Sequence, residues 1–270
     1  MLKDITIGQY FPGHSVLHRL DPRIKMVLTI AYIVLLFLVK NSVGFLVSIV
    51  FLGVCYAVAK IPVKLILRSL KPIVPIQVFT GALNLLFVSG EHPIFDWGVF
   101  HLSQEGIYTA ITMAIRVLCL IAGSSLLTYT TSPIALTDAI ERLLGPLKVL
   151  HFPVHELAMM MSIALRFIPT LIEETDKIMS AQKARGADLE SGGLLQRAKA
   201  LIPILIPLFV SAFRRAEELA LAMECRCYHG GKGRTRMKQL HLTVADGAAC
   251  LVVAVVFVGV LFLNRLPIPW

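Results

Sequence analysis

The sequence has few charged residues for its length. Asp, Glu, Lys and Arg together make up 16% of the 270 residues, whereas apolar residues make up 56%. A water-soluble domain carries about 25% charged residues, so this composition excludes a soluble enzyme or a soluble binding module. The surplus of apolar side chains requires lipid around it. The composition therefore predicts an integral membrane protein.

Cysteines and acidic residues are also scarce. The five cysteines are an odd number, which argues against a disulfide framework and against a small secreted protein. Acidic residues number 17, against 26 Lys and Arg. In a membrane protein such a basic excess is typical of cytoplasmic loops beside anionic headgroups. We therefore expect the lipid bilayer as a partner and no nucleic acid.

Long apolar runs predict an all-α membrane protein with five transmembrane helices. The first 25 residues contain no such run, so we expect the first span, and not a cleavable signal peptide, to direct membrane entry. A spanning helix needs roughly 20 apolar residues. The runs that meet or approach this length cover residues 26–39, 43–59, 72–89, 107–129 and 242–263.

Lys and Arg are distributed in a way that predicts the orientation. They are frequent in the N-terminal arm, in the segment 60–71 and throughout 130–240, but absent from 90–105. Because cytoplasmic segments are enriched in Lys and Arg, the N-terminus is expected inside and the C-terminus outside. We expect a multi-pass protein of a prokaryotic plasma membrane.

The segment 130–240 differs from the spans because it is apolar and charged at once. Its periodicity predicts long amphipathic helices, which we place at the cytoplasmic face. A pair of spans is the alternative, but it would place several Lys and Arg outside. The predicted organisation is an arm with four spans (1–129), a cytoplasmic module of amphipathic helices (130–240) and a fifth span (241–270).

Two long helices of this segment are predicted to end in the same way. Each ends in an arginine flanked by small residues, as Ala184-Arg185-Gly186 and as Cys225-Arg226-Cys227. A basic residue in a last turn complements the helix dipole, and that accounts for the arginine alone. Small flanks additionally let a partner surface close around a guanidinium. Two such ends predict a partner with two equivalent sockets.

Catalytic and metal-binding patterns are not evident. The segment 229–235 has the residue types of a phosphate loop without its spacing. The triplet Cys225, Cys227 and His229 lacks the fourth ligand that tetrahedral zinc requires. We therefore expect no catalytic residue, no metal and no cofactor in this chain.

Three further motifs accompany the two helix ends, and a fourth extends the first helix end towards its N-terminal side. They are Tyr10-x-Pro-Gly-x-Ser-x-Leu-His-x-Leu-Asp-Pro-Arg-x-Lys25, Thr130-Thr-Ser-Pro133, Ala164-Leu-Arg-Phe-Ile-Pro169 and Ala181-Gln-x-x-Arg-Gly186. Together they resemble the transmembrane T component of energy-coupling factor (ECF) vitamin and metal importers, of the cobalt and biotin type, over nearly the whole chain. The usual Ala-Arg-Gly is replaced by Cys225-Arg226-Cys227 at the second end.

The resemblance implies a scaffold that transmits energy and is not itself an enzyme. Two cytosolic ATPases would bind at the arginine motifs, and ATP would be hydrolysed on those subunits. A small membrane protein, the S component, would bind the substrate and rest on the same helices. The residues that we assign to this second surface are Met159, Met160, Arg166, Pro169, Pro203 and Pro207.

Two other functions are kept as alternatives. A membrane-embedded prenyl or lipid transferase would need acidic metal-binding motifs. The nearest candidate is Glu173-Glu174-Thr175-Asp176, and no second acidic motif accompanies it. A secondary transporter would show inverted repeats and polar residues at mid-membrane. Arg116 alone lies deep in a predicted span, and we expect it to have a structural partner.

Overall fold

The chain is almost entirely helical, which confirms the predicted all-α membrane class. The computed structural model describes residues 10–39, 41–87, 93–97, 100–150, 152–187, 193–231 and 240–265. Ten α-helices lie in these residues: α1 (Val16–Arg19), α2 (Pro22–Leu38), α3 (Ser42–Ala59), α4 (Val63–Leu70), α5 (Val74–Phe87), α6 (Gln104–Thr130), α7 (Pro133–Leu143), α8 (Val154–Ala184), α9 (Leu194–Cys225) and α10 (Val244–Leu263).

The helices form two compact units. The membrane unit comprises residues 8–139 and 240–270, and the coupling unit comprises residues 140–239 with 1–7. The boundary between them falls inside α7. The division into 1–129, 130–240 and 241–270 that the sequence predicts depends on which segments enter the membrane. The two compact units do not test it, so it stays a prediction.

Four helices in the described residues are long and apolar enough to cross a membrane, namely α3, α6, α8 and α10. Three of them coincide with predicted spans. The helices at the other two predicted spans are shorter, because α2 has 17 residues and α5 has 14. Both still pack against α6. The count of five spans is therefore not confirmed, and the place of α8 relative to the membrane stays a prediction.

Two segments expected as loops contain regular structure. The segment 90–105 holds an antiparallel hairpin of β1 (Pro93–Trp97) and β2 (Phe100–Ser103). Its aromatic and β-branched residues favour strands. The segment 60–71 contains α4, in which Lys64 and Arg68 lie one turn apart and are both exposed. Amphipathic helices of this kind are typical of membrane surfaces.

Buried tyrosines connect the helices around α6. The hydroxyl of Tyr56 donates to the carbonyl of Ala122 at 2.7 Å, and that of Tyr129 donates to the carbonyl of Leu65 at 3.1 Å. Both tyrosines are at least 94% buried. Because a buried hydroxyl needs a partner, each of these bonds fixes the position of a large apolar ring in the core.

A buried polar junction holds the N-terminal arm against the membrane unit. The carboxylate of Asp246 accepts hydrogen bonds from the backbone N–H of Asp21 (2.8 Å) and of Thr243 (2.7 Å). The ammonium of Lys25 donates to the carbonyl of Thr130 at 2.9 Å. The junction therefore joins the starts of α2 and α10 to the end of α6. It gives the motif around Asp21 and Lys25 a structural role.

Asparagines connect helices at the opposite ends of α2 and α10. The side-chain amide of Asn41 donates to the carbonyl of Leu263 at 3.1 Å, and that of Asn264 donates to the carbonyl of Leu38 at 2.8 Å. The last carbonyls of a helix have no partner within it. Each asparagine therefore satisfies a terminal carbonyl of a neighbouring helix.

Arg116 has the structural partner that the sequence predicted. Its Nη2 donates to the carbonyl of Val39, just past the end of α2, at 3.2 Å. Its guanidinium lies 5.3 Å from the centre of the Phe45 ring. A cation at a helix C-terminus complements the helix dipole, and a cation above an aromatic face is favourable.

Removing the Asp246 carboxylate tests the polar junction. Asp246→Ala leaves the buried N–H of Asp21 and the partly buried N–H of Thr243 without this acceptor, and a buried group without a partner costs about 1–3 kcal/mol. We expect a free energy of unfolding lower by at least about 2 kcal/mol, measured by chemical or thermal unfolding in detergent. Glu217→Ala, at an exposed position of α9, is the control and should change it by less than about 0.5 kcal/mol. Equal effects would contradict a specific role for Asp246.

The orientation can be tested by thiol labelling in a variant without the native cysteines. A cysteine at Ala187, after α8, should react with a membrane-impermeant maleimide only in permeabilised cells. A cysteine at Gln104, at the start of α6, should react in intact cells. Labelling of position 187 in intact cells would mean that α8 and α9 cross the membrane and that the chain has seven spans.

Candidate docking site on the coupling unit

The coupling unit is built from α8 and α9, which run antiparallel. Gln182 contacts Pro203, Glu174 contacts Ser211, and His155 contacts the residues after α9. Residue numbers therefore decrease along α8 in the direction in which they increase along α9. The 31-residue and 32-residue helices contact one another over most of their length.

Glu174 joins the two helices near their middle. Its carboxylate accepts a hydrogen bond from the hydroxyl of Ser211 and a second from Nη2 of Arg215, the latter at 2.9 Å. Ser211 and Arg215 are one helical turn apart, so they present their donors on the same side of α9. This contact sets the register of α8 against α9.

His155 fixes the other end of the pair. Its Nδ1 lies 3.1 Å from a carboxylate oxygen of Glu141, and its Nε2 lies 3.4 Å from the hydroxyl of Tyr228. A Cβ atom added at Gly231 would overlap the imidazole ring. The backbone therefore approaches His155 so closely that a side chain at position 231 would require the imidazole to move. These contacts tie the residues after α9 to the start of α8.

Helix α8 ends as the sequence predicted, with Arg185 as its C-terminal capping residue. The N–H of Gly186 donates to the carbonyl of Lys183, and the N–H of Ala187 donates to that of Gln182, both at 3.0 Å. Gly186 has a φ of +86°. These features define a Schellman motif, a common way in which glycine ends a helix.

Helix α9 ends in the same motif, with Arg226 at the capping position. The N–H of Cys227 donates to the carbonyl of Glu224 at 2.8 Å, and the N–H of Tyr228 donates to that of Met223 at 3.0 Å. Cys227 occupies the glycine position with a φ of +51°. The two arginines therefore have equivalent backbone surroundings, although their flanking residues differ.

Both arginines are available to a partner. Their side chains are exposed, as are their neighbours Ala184, Gly186, Cys225 and Cys227. Among the residues that the structure describes, neither guanidinium forms an ion pair or hydrogen bond. The structure does not bring them together. Pro203 lies level with the end of α8, and at 1.5 Å per residue the end of α9 is roughly 35 Å farther along.

Cys227 carries a backbone conformation that glycine adopts more easily. A left-handed conformation costs a side-chain-bearing residue roughly 1–2 kcal/mol. We expect Cys227→Gly to raise the free energy of unfolding by about 1 kcal/mol, measured by chemical unfolding in detergent. Cys225→Gly is the matched control two residues earlier. It should lower stability slightly, by about 0.3 kcal/mol, since Cys225 is the last helical residue and glycine is a weaker helix former than cysteine. Effects of the same sign would contradict backbone strain at Cys227.

The residues predicted for the second surface are mostly exposed. Met160, Arg166 and Pro169 are exposed on α8, as are Pro203 and Pro207 on α9, whereas Met159 is half-buried. The first half of α9 adds an exposed apolar face, in a segment where the sequence predicts an amphipathic helix. Its exposed members are Leu201, Ile202, Leu205, Ile206, Phe209, Val210 and Phe213.

The side chains that hold the pair together were not predicted from the sequence. Glu174 was considered only as part of an acidic cluster, and Ser211 and Arg215 were given no role. The sequence signal for this contact was an acidic residue on one amphipathic helix and a basic residue on the next. That signal does not specify the register of the two helices.

The acidic and metal-binding alternatives find no support in the geometry. The carboxylate of Glu174 is occupied by Ser211 and Arg215. In the described part of the chain, no three His, Cys, Asp or Glu residues form a group that could hold a metal ion. The arrangement therefore presents two exposed cationic helix ends and an exposed apolar surface.

Comparison with known proteins identifies the class of protein as a membrane transport component. The family of cobalt transport proteins (CbiQ) matches residues 13–237. Energy-coupling factor transporter transmembrane proteins (EcfT) are similar over nearly their whole lengths. The one from Ruminiclostridium cellulolyticum is 57% identical over 91% of this chain and 92% of its own length. Those from Clostridium kluyveri and Lactococcus lactis are 54% and 44% identical, each over at least 97% of both chains.

The chain belongs to this CbiQ/EcfT family, as the sequence motifs predicted. The comparisons support the function of a multi-pass transmembrane component of an ECF transporter. They also confirm the prediction that the chain is a transporter component and not an enzyme. The roles of individual site residues stay predictions.

Proposed function

We propose that this chain is the energy-coupling subunit of an ECF importer, linking two cytosolic ATPases to a substrate-binding S component. Arg185 and Arg226 would each dock one ATPase. The S component would rest on the exposed surface of α8 and α9. The chain itself would bind no cofactor, and the importer would take up vitamins or other micronutrients that the S component selects.

The observation that carries this proposal is the equivalence of the two helix ends. Both arginines cap a long helix, both precede a residue of positive φ, and both are exposed. A dipole-complementing arginine needs neither the same cap geometry nor small flanking residues. Two equal cationic ends suit two copies of a similar acidic or carbonyl-rich socket.

The apolar face of α9 supports the second part of the proposal. Side chains such as Ile206, Phe209 and Phe213 are 60–69% exposed. Exposed apolar surface of this extent marks a protein or membrane contact. Since the same helix is charged in its second half, we place α8 and α9 along the cytoplasmic face of the membrane. The apolar half would then face lipid and the S component.

The proposed mechanism follows from the fixed register of α8 against α9. ATP-driven closure of the two ATPases would apply force at Arg185 and Arg226. Because Glu174 bonds to both Ser211 and Arg215, the helices resist sliding. The force is therefore expected to tilt the pair or bend it near Pro169, Pro203 and Pro207, where the helical hydrogen-bond pattern is interrupted.

Replacing the arginines tests the proposal. Loss of one member of a desolvated charge pair costs about 2–5 kcal/mol, so Arg185→Ala or Arg226→Ala should weaken ATPase docking at least about 30-fold. Substrate uptake by cells that carry the whole complex should fall accordingly. Arg→Lys should rescue only partly, since an ammonium lacks the planar donor fork. The measurements are copurification of the ATPases and uptake.

Arg214→Ala is the matched control. Arg214 is exposed on α9 and pairs with exposed Glu218 one turn away, an interaction worth at most about 1 kcal/mol. This variant should keep nearly normal uptake. Normal uptake by the double variant Arg185→Ala, Arg226→Ala would contradict the proposal and leave the arginines as helix caps. Copurification of a homo-oligomer without ATPases would instead favour a secondary transporter.

A further inference from the structure

Pro207 removes a hydrogen bond from the middle of α9. In an α-helix the N–H of each residue donates to the carbonyl four residues earlier. Proline has no N–H, so the carbonyl of Pro203 lacks its usual helical partner. The side-chain amide of Gln182 on α8 donates to this carbonyl at 3.3 Å. A neighbouring helix thus supplies the missing donor.

The surroundings of this bond make the missing donor important. Leu201, Ile202, Leu205 and Ile206 flank the Pro203 carbonyl and are 45–60% exposed. The bond is exposed in the isolated chain, and in the proposed complex this surface would face lipid or another protein. An unpartnered carbonyl is unfavourable in apolar surroundings because no water can replace the lost donor.

Gln182 also takes part in the helix end at Arg185. Its own carbonyl accepts hydrogen bonds from the N–H of Arg185 at 3.1 Å and from that of Ala187 at 3.0 Å. The backbone of Gln182 therefore stabilises the turn that Arg185 caps. Its side chain stabilises the turn of α9 that Pro207 interrupts. No other contact described for α8 connects these two features.

We propose that Gln182 is the positioning residue of the Arg185 end. It fixes the docking arginine to α9 at the turn where Pro207 makes that helix easiest to bend. Force applied at Arg185 then reaches α9 directly and is not lost in fraying of the last turn of α8. This inference rests on the proposed function, because it assumes that an ATPase applies force at Arg185.

The test is a double-mutant cycle between Gln182 and Pro207. Gln182→Met removes the donor and keeps the side-chain length. Pro207→Ala restores an N–H at position 207, which can pair with the Pro203 carbonyl within α9. Gln182→Met should therefore matter in the parent and lose its effect in the Pro207→Ala background. Gln182→Asn, which is too short to reach, is a second variant should Gln182→Met not fold.

Pro203→Ala is the matched control. It restores an N–H at position 203, which pairs with the carbonyl of Lys199 and leaves the acceptor of Gln182 without a helical partner. Gln182→Met should therefore keep its full effect in the Pro203→Ala background. The two alanine variants differ only in which carbonyl regains a donor.

Three measurements are made on each member of the cycle, and the third is copurification of the ATPases. The first is the thermal unfolding midpoint of the purified chain, which reports the Gln182–Pro203 bond irrespective of function. The second is substrate uptake per ATP hydrolysed by the whole complex in liposomes. We expect Gln182→Met to lower this ratio several-fold while ATPase copurification stays unchanged, and to have no effect with Pro207→Ala.

Three results would overturn the inference. The first is that Gln182→Met leaves uptake per ATP hydrolysed unchanged in the parent. The second is that it lowers this ratio equally in the Pro207→Ala background. The third is that it reduces ATPase copurification, which would make Gln182 part of the docking surface. Failure of the proposed function is recognised separately. In that case the parent complex contains no ATPase, or the double variant Arg185→Ala, Arg226→Ala transports normally. Neither result depends on the Gln182 variants.

Discussion

The carboxylate of Glu174 fixes the register on which the coupling unit depends. Apolar contact between two helices is non-directional and permits sliding, whereas a carboxylate shared by Ser211 and Arg215 has one geometry. Register decides where the ends of α8 and α9 lie. A shift by one turn would move Arg185 by about 5.4 Å relative to Arg226. The separation of the docking arginines is thus a consequence of one polar contact at mid-length.

The membrane unit uses polar contacts for a related purpose. Asp246 and Lys25 join the starts of α2 and α10 to the end of α6, and Asn264 joins α10 to the other end of α2. These side chains satisfy backbone groups that helix ends leave without partners. In lipid such groups have no water to bind. Polar contacts at both ends therefore give α2 a fixed place, although it is only 17 residues long.

The helix ends were predictable from sequence because they are local. Small residues around Arg185 and Arg226 specify a cap within one turn, and the structure places both arginines there. The partner of Glu174 was not predictable, because Ser211 lies 37 residues away and the pattern of each helix leaves the register open. The role of Gln182 was missed for the same reason. Its acceptor, the Pro203 carbonyl, is free because Pro207 follows four residues later in the same helix, but only the folded pair places that carbonyl opposite Gln182.

The geometry limits how the proposed ATPase pair can move this subunit. The helices are tied at Gln182, at Glu174 and at His155, so the pair cannot shorten by sliding. If the two docking sockets approach one another, the distance between Arg185 and Arg226 must shorten by bending, because tilting the pair as a rigid body leaves that distance unchanged. Bending concentrates where prolines remove hydrogen bonds. Pro203 and Pro207 lie near the Arg185 end, so we infer that this end bends while the Arg226 end, anchored through His155, acts as the fulcrum.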